Sequence, residues 1–334
     1  MFSTDLLTWY DLNRRELPWR GARDPYRIWL SEIMLQQTQA ETVKGYYARF
    51  LERFPTVQAL AAAEEDAVLK LWEGLGYYSR ARNLHAAARM VTAAGGIFPG
   101  DAAGLRRLPG VGPYAANAIA SIAYGEVAPA LDGNQARVLS RVLAWEPVLK
   151  TPFDLLSPAL ALISRERPGD YNQALMDLGA MICLPRQPRC DRCPVAAYCK
   201  AYQADAALDY PHKGTPTVKK QQDWTILLMF AGDRPLVRRR PRGLLGGLYE
   251  FVAVEDHYEP DALARVLSEQ GFRGVRLMEP LPEARHVFTH LVWHMWGWRA
   301  TCEGWPGDYF PADDIDTLAF PSALRAYRRL VNRG

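Results

Sequence analysis

Up to about residue 205, apolar positions recur at helical spacing. Val68, Leu71, Trp72 and Leu75 fall at i, i+3, i+4 and i+7, one face of a helix. AANAIASIAYG and QARVLSRVLAW keep the same period, and GLGYY, GGIFPG and LPGVGP punctuate the segments. The texture changes near 206–222. LDYPHKGTPTVKKQQD brings two prolines, a glycine and several basic residues, the composition of a linker. Beyond it WTILLMF, RPLVRR, GLYEFVAV and HLVWHMWGWRAT are short runs rich in β-branched and aromatic residues, which predict strands. DALARVLSEQGF between them reads as a helix. The expected organisation is a mostly α domain over 1–205, a linker over 206–222 and an α+β domain over 223–334, with no internal repeat.

The chain has 334 residues, 49% of them hydrophobic, enough for two cores. No apolar stretch reaches the length of a signal peptide or a membrane span. A soluble, cytoplasmic protein, most simply a monomer with no membrane partner, is therefore expected. The net charge of +3 says little, but its distribution says more. Arg186, Arg189, Arg192 and Lys200 face one acid, Asp191. Arg234, Arg238, Arg239, Arg240 and Arg242 face only Asp233. Local positive patches of this kind suit a polyanion such as DNA, or are simply solvated.

Four of the five cysteines lie in CLPRQPRCDRCPVAAYC, with spacing C-x6-C-x2-C-x5-C: Cys183, Cys190, Cys193 and Cys199. In a reducing compartment such clusters bind metal. Four thiolates satisfy a zinc ion or a four-iron cluster. Zinc sites usually come as two close pairs, and only Cys190 and Cys193 form one here. Cys302 lies in an expected strand and reads as packing.

LRRLPGVGPYAANAIA places Gly110 and Gly112 around Val111 in a tight turn, with a helix starting at Pro113. Glycines let the backbone approach a ligand closely. Exposed N–H groups at a helix start can hold a phosphate without side-chain charge. A plain helix corner is the other reading.

Two acids stand out. Glu32 shares a helix face with Ile28 and Leu35, where desolvation favours the protonated form a general acid needs, and a helix-surface glutamate is the other reading. Asp132 follows an apolar run and precedes a helix, as an N-cap would. A functional reading is that it faces a developing cation. One acid at a leaving group and one carboxylate at a sugar is the logic of glycoside cleavage.

Taken together, LPWR, SEIMLQQTQ, WEGLGYYSRARNL, LPGVGPY, LDGN, NQALMDLGAMIC and the cysteine spacing resemble the MutY family, the adenine members of the iron–sulfur helix-hairpin-helix DNA glycosylases. The resemblance covers nearly all of the first domain. It implies a [4Fe–4S] cluster on the four cysteines and a double-stranded DNA substrate with adenine opposite 8-oxoguanine or guanine. It implies that Glu32 protonates the flipped adenine and that Asp132, oriented by Asn134, stabilises the sugar cation beside Tyr114. Arg20 and Gln173 would contact the adenine, while Gln37 and Tyr77 would wedge into the stack around 8-oxoguanine. Strand-cutting relatives carry a lysine where this chain has Tyr114. A Schiff base needs an amine, so base removal without β-elimination is expected. Asn117 departs from the glycine common in MutY-like hairpins.

RPRGLLGGLYEFV with the following helix resembles a degenerate Nudix domain. Arg265 and Ser268 stand where metal-binding acids are expected and only Glu269 remains, so metal-dependent hydrolysis is not expected. The resemblance implies 8-oxoguanine recognition instead, through Phe288, Thr289 and His290 of HVFTHL. Two other functions compete with a monofunctional adenine glycosylase in base excision repair: a bifunctional endonuclease III-like glycosylase/lyase and a non-catalytic iron–sulfur DNA-binding protein.

Overall fold

The computed structural model describes residues 1–212, 214, 218–241 and 243–331. Its contacts divide the chain into two compact units, Met1–Ala63 with Asn83–Thr215, and Glu64–Arg82 with Pro216–Gly334. Residues 64–82 thus group with the C-terminal part of the chain. Arg242 of the second basic stretch lies outside the described residues.

The first unit is helical. The helix Pro168–Met181 is buried along most of its length and packs on Phe2–Asn13, Pro113–Tyr124 and Gly133–Leu143. Its core joins Leu6, Tyr10, Leu139, Tyr171 and Leu178, all essentially without solvent contact. The helix Pro25–Leu35, capped by Asp24 through Tyr26 N, packs against Pro113–Tyr124. The expected hairpin helix ends at Gly125, left-handed at φ 73°.

The second unit is a six-stranded sheet in the order β4-β5-β1-β3-β2-β6. The strands are β1 Lys220–Ala231, β2 Arg234–Arg239, β3 Tyr249–Glu255, β4 Arg276–Val287, β5 Leu291–Thr301 and β6 Tyr309–Pro311. β1 and β5 run parallel, and the other pairs are antiparallel. Leu263 and Leu267 of the helix Pro260–Glu269 cover Leu227 and Met229 on one face. Tyr327 of the helix Arg325–Val331 covers Ile226 and Phe251 on the other. β1 starts inside the stretch read as linker, because Lys220–Asp223 pair with β5 alone and need no apolar face.

Residues 64–82 are tied to this unit by polar contacts. Tyr78 Oη donates to Phe320 O at 3.1 Å and Lys70 Nζ to Leu318 O at 3.1 Å. The helix expected through Leu75 stops earlier, as Glu65–Leu71. Gly74 and Gly76 turn the chain at φ 100° and 70°. Val68, Trp72 and Leu75 are nonetheless buried.

Candidate functional site

Glu32 sits on the inner face of the helix Pro25–Leu35 and is 5% exposed. It lines a cavity of about 420 Å³ with Arg15, Trp19, Arg20, Gln173 and Met176. Burial raises its pKa above the usual carboxyl range. The Tyr114 hydrogen bond and the Arg20 charge oppose that rise, and the Asp132 charge adds to it. Tyr114 Oη donates to Glu32 Oε2 at 2.6 Å. Burial keeps that phenol neutral, with its pKa raised well above normal. Arg20 Nη1 donates to Tyr10 Oη and to Gln173 Oε1, both at 2.7 Å. Arg20 and Gln173 are therefore coupled before any ligand arrives.

Asp132 is the N-cap of the helix Gly133–Leu143, as its position predicts. Its Oδ1 accepts from Gln135 N at 2.7 Å and its Oδ2 from Asn134 Nδ2 at 3.2 Å. Burial still raises its pKa, against those hydrogen bonds. The two readings of Asp132 are thus compatible: capping fixes the side chain, and burial outweighs its hydrogen bonds and the Arg137 charge. Arg137 Nη2 donates to Asn134 Oδ1 at 3.0 Å and its Nε to Cys183 O at 2.8 Å. The segment before Asp132 is pinned by Asn172, whose Oδ1 accepts from Ala130 N at 3.0 Å and whose Nδ2 donates to Ala128 O at 2.9 Å. Asn117 donates to Pro129 O at 2.8 Å and so ties the hairpin helix to the same segment.

The two hairpin glycines differ. Gly110 has φ 75°, and a Cβ there would lie 2.7 Å from Asn83 Cβ. Gly112, the N-cap of the helix Pro113–Tyr124, has an ordinary φ of −80° and open space where a Cβ would stand. Gln37, exposed at the end of the helix that carries Glu32, is left-handed at φ 58°. Such backbone is uncommon for a residue with a side chain and marks a constrained position.

The four clustered cysteines line one space of about 390 Å³, walled by Val138, Val142, Leu178 and Arg141. Arg141 Nη1 approaches Cys183 Sγ at 3.3 Å and donates to Leu184 O at 2.8 Å. Burial pushes the Cys193 thiol up to about 12, and the neighbouring cysteines add to the rise. Among the described residues no three of His, Cys, Asp or Glu close on one point as the ligands of a single ion do. Arg186, Arg189, Arg192 and Lys200 are exposed around the loop.

In the second unit, Tyr77 is 45% exposed and left-handed at φ 47°. Its Oη lies 2.6 Å from Thr289 Oγ1. Both line a cleft of about 1290 Å³ with Phe288, His290, His286 and Leu245. Phe288 stacks edge-on against His286 and Trp293, at 4.6 and 5.0 Å between centroids, and so anchors the loop. Thr289 and His290 are exposed. In the second basic stretch, the described arginines are engaged in ion pairs. Arg234 pairs with Asp313, Arg238 with Glu250 and Asp308, Arg239 with Asp66, and Arg240 with Glu250.

Sequence reasoning missed Arg15, Asp177, Asn172 and Arg137. Each acts through a partner more than a hundred positions away or through backbone carbonyls, and no spacing rule signals that.

Residues 30–155 match the HhH-GPD superfamily of base excision DNA repair proteins, and residues 225–330 match the NUDIX domain. The adenine DNA glycosylase of Homo sapiens is 46% identical over 363 residues, covering 87% of this chain and 65% of that protein. That of Buchnera aphidicola subsp. Baizongia pistaciae is 34% identical over 297 residues, covering 87% and 84%. The chain spans only 55% of the Arabidopsis thaliana adenine DNA glycosylase, to which it is 36% identical. A thermostable thymine-DNA glycosylase structure superposes with TM-score 0.57 at 32% identity, over 61% of this chain and 95% of that one. An endonuclease III–DNA complex, at TM-score 0.53 and 22% identity over 61% and 94%, shares the fold.

Proposed function

The chain belongs to the adenine DNA glycosylase family, and on this ground we propose that it hydrolyses the N-glycosidic bond of adenine paired with 8-oxoguanine or guanine in duplex DNA. The observation that carries the reading is Glu32. It is a buried carboxyl biased toward its protonated form, hydrogen-bonded to Tyr114, in a pocket lined by Arg20 and Gln173.

The hairpin meets a phosphate through the open backbone around Gly112 and the start of the helix Pro113–Tyr124. The exposed arginines of the cysteine loop add phosphate contacts that carry no sequence information. Adenine leaves the stack; Gln37 of the helical unit offers an amide to the gap, and Tyr77, which groups with the sheet unit, offers an aromatic face on which a base can stack. In the pocket, Arg20 and Gln173 hold the edge of the base. Glu32 gives its proton to adenine N7, and the C1′–N9 bond breaks with its electron pair moving to the base. The sugar cation so formed faces Asp132, which Asn134 and Gln135 hold in place. Cation formation adds to the stabilisation that the hydrogen bonds and the Arg137 charge already give the Asp132 carboxylate. Water adds at C1′ and yields its proton to the Glu32 carboxylate. Described residues lining the pocket include no lysine, which supports hydrolysis without a Schiff base.

Thr289 and His290 read the oxidised base, with Phe288 as their anchor. Four thiols lining one space are a donor set that supports a [4Fe–4S] cluster. A cluster spreads four thiolates over four irons, so its ligands need not converge on one point. Cys183, Cys190, Cys193 and Cys199 would hold it. When bound it supplies positive charge that stabilises four thiolates and fixes the shape of the arginine-bearing loop.

Replacing Glu32 with Gln tests the reading. Single-turnover excision should fall by about 10²–10⁴-fold, with affinity for the mispaired duplex retained. Unchanged excision would remove Glu32 from the mechanism.

A further inference from the structure

Asp177 is the most deeply buried acid near the base pocket, and its side chain is 0% exposed. It accepts from Arg15 N at 3.2 Å, from Arg15 Nε at 2.7 Å and from Arg20 Nη2 at 3.0 Å. Arg20 itself is 8% exposed, and its other amino group is spent on Tyr10 and Gln173. We propose that Asp177 is the positioning residue of the base pocket: it binds Arg20 so that this cation holds the base edge beside Gln173 and does not pair with Glu32.

The inference rests on the glycosylase reading and deepens it. A buried guanidinium seeks a carboxylate, and two are within its region, Asp177 and Glu32. Pairing with Glu32 would ionise that acid and leave no proton to give. The groups acting on Glu32 come from three other segments: Arg20 from the stretch before its own helix, Tyr114 from Pro113–Tyr124 and Asp132 from before Gly133–Leu143. Arg15 also lines the pocket, whereas the helix Ala40–Arg53 brings only Ala40 to the wall. Of these, only Arg15 and Arg20 are cations, and both are held by Asp177. With one carboxylate between two arginines, the cluster carries one net positive charge. Without Asp177 it would carry two, beside an acid that must stay protonated.

The sign follows from that count. Extra positive charge favours ionised Glu32, so its proton is lost at lower pH. Excision that needs the proton should then fail at lower pH as well.

The test follows Asp177→Asn, Asp177→Glu and the double change Asp177→Asn with Arg15→Gln in the full chain. The single-turnover rate is measured against pH, and the Glu32 side-chain carboxyl is titrated by ¹³C NMR without DNA, its signal assigned by loss in Glu32→Gln. Asp177→Asn should move the high-pH fall in rate and the Glu32 midpoint down together, by about one pH unit. Asp177→Glu, which keeps the charge, should leave both near the parent. The double change restores the parental net charge and should return both, and it decides the matter if Asp177→Asn does not fold. A rate lowered equally at every pH, with the Glu32 midpoint unmoved, would reduce Asp177 to a packing role and overturn the proposal. Full activity of Glu32→Gln would instead sink the glycosylase mechanism, while the NMR midpoint would still report on Asp177.

Discussion

For Glu32, burial outweighs the Tyr114 hydrogen bond and the Arg20 charge, so the carboxyl tends to keep its proton. Asp132 is desolvated too, yet three hydrogen-bond donors from Asn134 and Gln135 work against the rise. Two carboxyl groups thus meet different surroundings, which supports the proposed acid role for Glu32 and charge-accepting role for Asp132. The hairpin glycines show a similar division. Gly110→Ala puts a Cβ against Asn83 in left-handed backbone. It should cost about 1–3 kcal/mol of stability, read by urea unfolding. Gly112→Ala meets no protein atom. It should leave the unfolding midpoint in place and weaken duplex binding, because the methyl group stands where a phosphate approaches. Equal destabilisation by both changes would contradict this division. At this scale Glu32 was legible from Ile28 and Leu35, which share its face, and Asp132 from its place before a helix. Arg15 and Asp177 were not, because charged residues in sequence look alike whether buried in pairs or solvated.

Elements were legible where one face is buried and obscured where none is. The hairpin helix Pro113–Tyr124 announced itself by period, Pro113 at its start and Gly125 at its end. β4 did not. RLMEPLPEARHV carries two prolines and alternates weakly, because this edge strand pairs only with β5 and lies mostly exposed. Its register shifts between Leu277 and Glu279 and between Leu281 and Ala284, near both prolines, which edge strands tolerate. The helix over 65–71 was overextended for a related reason. Trp72 and Leu75 keep helical spacing in sequence but are buried from a glycine turn. The ion pairs of the second basic stretch were not legible, because the acidic partners Asp308, Asp313 and Asp66 are remote in sequence.

For the whole molecule, the helical and sheet units each carry one set of the proposed site residues, and the cysteine spacing was the most specific mark in the sequence. The proposed cluster would give the four clustered thiols at the edge of the helical core a common purpose. Purified protein should contain about four iron and four sulfide per chain, and loss of the cluster should weaken duplex binding more than it alters the Glu32 pocket. Stoichiometric zinc with no iron would refute the assignment. The most direct measurement is single-turnover reaction of a duplex carrying adenine opposite 8-oxoguanine, divided into samples with and without hot alkali. Strand breaks only after alkali are expected, as hydrolysis by Glu32 and Asp132 leaves an intact abasic strand. Breaks without alkali would mean that an amine forms a Schiff base in the site, and no breaks in either sample would mean that the chain does not excise adenine.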